Sequence, residues 1–124
     1  PADWPSRGEI ALDNLQLAYA NGVPVLRGIT VTIPAGARVA VVGRTGAGKS
    51  SMISALMRLV EPNGGAALID GINIQDISLF DLRSRIAIIP QDPVLFEGTI
   101  RSNLDRFDQF EDKDVWAVLD RSGL

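Results

Sequence analysis

Eight consecutive residues carry the strongest chemical signal in the chain: Gly43-Arg44-Thr45-Gly46-Ala47-Gly48-Lys49-Ser50. They fit G-x-x-x-x-G-K-[ST], the pattern of a loop that cradles phosphates. Three glycines let the backbone curl so that successive N–H groups converge on one concavity, which suits an anion. Lys49 has the reach for the β- and γ-phosphates of a nucleotide, and the Ser50 hydroxyl suits Mg²⁺. The flanks agree with this chemistry. Arg38-Val39-Ala40-Val41-Val42 reads as a strand buried on both faces that runs into the loop. Residues 51–59 read as the helix leaving it, with its positive end aimed at the phosphates.

Two further positions fit a nucleotide site. Tyr19 lies upstream of the loop, where an aromatic ring supported by Val25 suits a stacked base. It equally fits a half-buried tyrosine at a strand end. Gln91 follows the apolar run Ile86-Ala87-Ile88-Ile89. In α/β sheets the C-terminal ends of strands face the ligand, so its amide suits Mg²⁺ or a water beside the γ-phosphate. It equally fits a loop glutamine bonded to its own backbone. Asp105, Asp108, Glu111, Asp112 and Asp114 crowd into ten residues but lack the glycine of a calcium loop. They read as a solvated helix start.

The elements that must position these groups follow from pattern. Ile10, Leu12, Leu15 and Leu17 mark an extended segment ending at Tyr19, and Ile29, Val31 and Ile33 alternate with threonines as in a half-buried strand. Asp70-Gly71 between Ala66–Ile69 and Ile72–Ile74 predicts a hairpin with a type I′ turn. Ser78 with Asp81 signals a helix over 79–85. Thr99 suits the cap of a short helix through Asn103. A last helix is expected from Asp112, with Val115, Trp116, Val118 and Leu119 inward and Gly123 at its end. Strands joined through helices give an α/β reading with a mixed sheet whose N-terminal part is antiparallel.

Bulk properties narrow the classes. The 124 residues suffice for one core, and 46% apolar with 22% charged residues is ordinary for a globular domain. A net charge of −3 disfavours a nucleic-acid partner. There is no cysteine and no histidine, hence no disulfide, no thiolate metal site and no imidazole base. Residues 1–8 read as a linker, and the chain as part of something larger.

Taken together, Tyr19, the loop with its following Ser51, and the run Ile88-Ile89-Pro90-Gln91-Asp92-Pro93-Val94-Leu95-Phe96-Glu97-Gly98-Thr99-Ile100-Arg101-Ser102-Asn103-Leu104 resemble an ABC transporter nucleotide-binding domain. The wording is most similar to the C subfamily, the multidrug-resistance-protein type, and to its second nucleotide-binding domain. The resemblance implies a P-loop NTPase-like fold that binds ATP with Mg²⁺. It implies that Tyr19 stacks on adenine beside Val25, and the ring face is then expected to suffice. It implies that Gly43, Arg44, Thr45, Gly46, Ala47, Gly48, Lys49, Ser50 and Ser51 hold the phosphates. Lys49 and Gln91 would serve turnover, and Ser50 and Gln91 would touch the metal. Residues 93–99 would meet the coupling helices of a transmembrane domain. A second nucleotide-binding domain would close the ATP sandwich at the cytosolic face of a membrane.

The family's signature motif, its Walker B Asp-Glu and its switch histidine are not among these residues. The chain is therefore expected to be the N-terminal half of one domain. Its ATP-binding core would run to about 104 and a helical subdomain would begin over 105–124. Alone it would lack turnover. The rival expectation is a degenerate or regulatory module that binds nucleotide without hydrolysing it.

Overall fold

The computed structural model describes residues 2–124. They divide into two compact units, Pro1–Ala87 and Ile88–Leu124, with Pro1 itself outside the described residues.

The first unit is built on a four-stranded antiparallel sheet in the order β2-β1-β3-β4. Its strands are β1 (Ile10–Ala18), β2 (Pro24–Ile33), β3 (Gly64–Ile69) and β4 (Ile72–Asn73). The antiparallel N-terminal part expected from the sequence is thus present. Leu12, Leu15 and Leu17 of the central strand are all buried, although their spacing breaks strict alternation. A bulge explains this. Pairing of β1 with β2 shifts between Leu12 and Leu15, and pairing with β3 shifts between Asp13 and Gln16. Asn14 sits there with a left-handed φ of 48°. The extra residue turns Leu15 back to the core face. Its carbonyl presses on β3, where a Cβ on Gly65 would come within 2.1 Å of Asn14 O. Only glycine fits that approach.

The hairpin turn is as expected: Asp70 and Gly71 both have positive φ, 48° and 78°, as a type I′ turn requires. The following Ile74–Asp76 is a 3₁₀ turn instead of strand, capped by the Asn73 side chain on the Gln75 N–H. α2 (Leu79–Arg85) starts at Ser78, whose hydroxyl accepts from Asp81 N. α1 spans Lys49–Leu56, starting two residues earlier and ending three earlier than the pattern suggested. Ser51 and Ala55 are its buried residues, whereas Ile53 is exposed.

The segment expected as linker is fastened to this sheet. Trp4 is buried, and its indole Nε1–H donates to Ile69 O at 2.8 Å. The backbone N–H groups of Ser6, Arg7 and Gly8 donate to one oxygen of Asp70, and that of Glu9 to the other, at 2.8–3.1 Å.

Two apolar segments behave differently from their pattern. Val39–Val42 belongs to no helix or strand and has no ladder partner among the described residues, and Val42 is 90% exposed. Ile86–Ala87 is likewise outside any strand, with Ile86 against the core. An apolar run supplies the faces of a buried strand, but the ladder needs neighbours to complete it.

The second unit opens with an irregular exposed stretch and holds α3 (Ile100–Leu104) and α4 (Asp112–Ser122). Ile88 and Ile89 are exposed here and form no strand. Thr99 caps α3 in a reciprocal box with Ser102, and Gly123 ends α4 in the left-handed region. Trp116 and Val118, expected inward, are exposed.

Candidate nucleotide-binding site

The loop between β2 and α1 takes its shape from glycine. Gly48, the residue before α1, has φ 102°. A Cβ there would meet Leu26 Cδ2 at 3.1 Å and Val25 O at 3.3 Å. The loop therefore lies directly on the strand that carries Val25, where a Cβ at 48 would crowd the strand and take a φ that favours glycine. Gly46 also has positive φ, and the Ala47 N–H donates to Arg44 O at 3.0 Å, closing a turn over Arg44-Thr45-Gly46-Ala47. Lys49 curls back so that its ammonium donates to Gly43 O. Ser50 is exposed in the first turn of α1, and Ser51 is buried beside it.

The far end of α1 is fixed from α2. Arg83 donates through Nε to Met57 O at 3.1 Å and through Nη2 to Arg58 O at 2.9 Å. These carbonyls close the helix end and suit a cation. Arg58 in turn donates to Ile74 O and Ile77 O. Its side chain also holds Glu61, whose carboxyl is lowered below the ordinary range first by that hydrogen bond. The loop thus sits on a helix anchored at both ends.

Tyr19 follows β1, and its backbone carbonyl accepts from Gly22 N at 2.8 Å in the turn to β2. Its hydroxyl lies 2.9 Å from Ser51 Oγ. The structure therefore brings Tyr19, Val25 and the whole of residues 43–51 together. Gln91 belongs to the second unit, exposed in a bend after Pro90.

Within that unit the stretch 93–99 is shaped by one side chain. Asn103 accepts from Phe96 N at 2.8 Å and donates to Phe96 O and Thr99 O at 2.9 Å. Val94, Leu95 and Phe96 are exposed, and Arg106 stacks over the Phe96 ring at 4.0 Å. The five carboxylates resolve into a helix start with one charged hub. Arg101 meets Asp108 at 3.2 Å and Asp112 at 3.1 Å. Asp105 accepts from Gln109 N and Phe110 N, which hold its carboxyl below the usual range, with Arg101 adding to the effect.

No group of three or more Asp, Glu, His or Cys side chains among the described residues converges on a metal position. The donors available at the loop are a neutral hydroxyl and backbone groups. That set fits Mg²⁺, which keeps waters and takes much of its shell from substrate phosphates. No helix among the described residues is long and apolar enough to cross a membrane.

The sequence missed three contributors. The Gly48–Leu26 contact, the Arg83 clamp on α1 and the Tyr19–Ser51 bond all join residues distant in the chain. Only the break in apolar alternation at Leu12 and Leu15 hinted at the strand geometry that delivers Tyr19.

The arrangement agrees with what the chain is similar to. The ABC transporter family model matches residues 26–124. ABC transporter C family member 6 of Arabidopsis thaliana is 56% identical over 122 residues, 98% of this chain. ABC transporter C family member 8 of Dictyostelium discoideum is 55% identical over 125 residues, covering the whole chain. ATP-binding cassette sub-family C member 2 of Rattus norvegicus is 51% identical over the same span. The chain spans 8% of the length of each of these relatives. Among solved structures, a bacterial Atm1-family ABC exporter with ATP bound superposes with a TM-score of 0.86 at 36% identity, over 92% of this chain and 20% of that one. Similarity of this order over nearly the whole of this chain places it in the ABC transporter family.

Proposed function

We propose that the chain is the ATP-binding portion of an ABC exporter nucleotide-binding domain, which in the whole protein couples ATP binding and hydrolysis to transport across a membrane. The observation that carries this reading is the loop 43–50 seated on Val25 and Leu26 at Gly48, with Tyr19 beside it. The backbone N–H groups of the loop and the Lys49 ammonium bind the phosphates, where they offset charge that develops during phosphoryl transfer. Gly43 to Ser51 follow the phosphates, Tyr19 stacks on adenine, and Val25 supports the ring. Ser50 and, on the family resemblance, Gln91 would hold Mg²⁺, which would supply charge neutralisation for the phosphates. The catalytic base comes from outside these residues, so the 124-residue chain alone turns over no faster than background.

The partners follow from the same reading. A second nucleotide-binding domain completes the ATP sandwich. The exposed Val94, Leu95 and Phe96 face the coupling helices of the transmembrane domain, on the cytosolic side of the membrane. Residues 1–8 lead in from the preceding part of the protein, the ATP-binding core reaches about 104, and residues from about 105 begin the helical subdomain.

Titration of Mg-ATP against the chain and its Lys49→Ala variant tests the site. Loss of a charge-assisted contact weakens binding by about 1.5–3 kcal/mol. Equal affinities would remove Lys49 from the site.

A further inference from the structure

Tyr19 is the single tyrosine of the chain, and its hydroxyl pairs with a residue 32 positions away. The two ends of this bond differ. Tyr19 keeps 39% of its surface exposed, whereas Ser51 keeps 6%. The ring is open to a ligand while its hydroxyl is tied to buried Ser51 in the first turn of α1. A serine hydroxyl offers one proton and two acceptor sites. When Tyr19 donates to Ser51 Oγ, the serine proton remains available to a phosphate oxygen. Chained hydroxyls of this kind polarise one another.

The flexible part of Tyr19 is its side chain, since the backbone is already held by the Tyr19–Gly22 turn. A free tyrosine side chain loses torsional freedom when a base stacks on it, and that loss subtracts from affinity. A ring already tethered at its tip has less to lose.

We propose that the Tyr19–Ser51 hydrogen bond positions the Tyr19 ring for stacking and joins base recognition to phosphate recognition through one hydroxyl. Tyr19 is thus a stacking residue whose hydroxyl also counts, contrary to the expectation that the ring face alone suffices. The proposal rests on the reading of this loop as a nucleotide site and adds a positioning role for Ser51 within it.

The test is a double-mutant cycle in the 124-residue chain, titrated with Mg-ATP and with magnesium tripolyphosphate, which lacks the base. Tyr19→Phe is expected to lose ATP affinity by about two- to tenfold, the range of one net hydrogen bond. The ratio of ATP to tripolyphosphate affinity falls with it, which a general loosening of the fold would not produce. In a Ser51→Ala background, Tyr19→Phe has no further effect. Ser51→Thr retains the coupling. Without any ligand, the Raman Fermi doublet of the single tyrosine changes in Ser51→Ala and is kept in Ser51→Thr.

Wild-type ATP affinity in Tyr19→Phe, additive effects of the two substitutions, or a doublet indifferent to Ser51→Ala would each overturn the proposal. If Lys49→Ala and Tyr19→Ala weaken ATP while Tyr19→Phe does not, the nucleotide site stands and the positioning role falls. If neither Lys49→Ala nor Tyr19→Ala matters, the site reading falls and takes the proposal with it.

Discussion

The strand β1 and the segment Val39–Val42 are both rich in aliphatic residues, yet their fates are opposite. Leu15 and Leu17 of β1 have no exposed surface, whereas Val39, Val41 and Val42 are all more than half exposed. The difference lies in their neighbours. β1 is paired on both sides, by β2 and by β3, so its backbone is satisfied and its core face is covered. Val39–Val42 has neither neighbour among the described residues. Aliphatic content sets what a segment gains on burial, and pairing decides whether the gain is realised.

Substitutions can sharpen that contrast. Leu15→Ala, in the fully covered strand, should destabilise the chain by about 2–5 kcal/mol, read as a shift in the urea midpoint. A loss of less than about 1 kcal/mol would mean that the β1 core relaxes as freely as the exposed segment.

The Asp70 clamp on residues 6–9 should have a smaller effect, confined to acid. Its carboxyl is lowered from 3.8 to about 2, first by the Arg7 N–H and then by that of Gly8, with Glu9 and Ser6 adding to these. A depressed folded-state value gives stability that is present above the unfolded value and lost as pH falls through the folded one. The wild-type midpoint should therefore decline between about pH 4 and pH 2. Asp70→Asn should start lower at the upper end and lack that component of the decline. Parallel curves would show that the clamp is not its source.

The smallest effect on stability is expected at Val42. Val42→Ala should change stability by no more than about 0.5 kcal/mol. Val42→Lys should leave the fold intact, and any concentration-dependent association measured by light scattering should fall, because a charge among exposed apolar residues with unpaired backbone discourages pairing with other chains. Unchanged association would place the adhesive surface elsewhere. The exposed apolar side of α4 at Trp116 is the next surface to examine.

What was legible in the sequence was whatever is decided locally. Ser78, Thr99 and Gly123 mark helix ends because a cap bonds to residues within one turn. Asp70-Gly71 marks the hairpin because both residues must take positive φ. The proposed phosphate loop stands out in the sequence because its glycines and Lys49 are contiguous. What escaped was set by distant contacts. Asp70 serves N–H groups more than sixty residues earlier, and Trp4 reaches Ile69 across 65 positions. Nothing in the short run Trp4–Gly8 signals such partners. The opposite error arose at Val39–Val42 and at Trp116, where pattern implied cover that other segments had to supply. Tyr19 was legible as a ring near a loop, but its hydroxyl partner was not, since Ser51 looked fully committed to phosphate.

The Asp70 clamp also has a mechanical meaning. Four amides in succession share one carboxylate at the tip of the β3–β4 hairpin, and the Trp4 indole holds the same strand a short way back. A pull on the chain at residues 2–9 loads these bonds together instead of one after another. The strap therefore resists peeling and passes tension into the β3–β4 hairpin. β3 is paired to β1, and β1 ends at Tyr19. Displacement of the leading segment would therefore load the sheet whose strand β1, past its bulge at Asn14, leads to Tyr19.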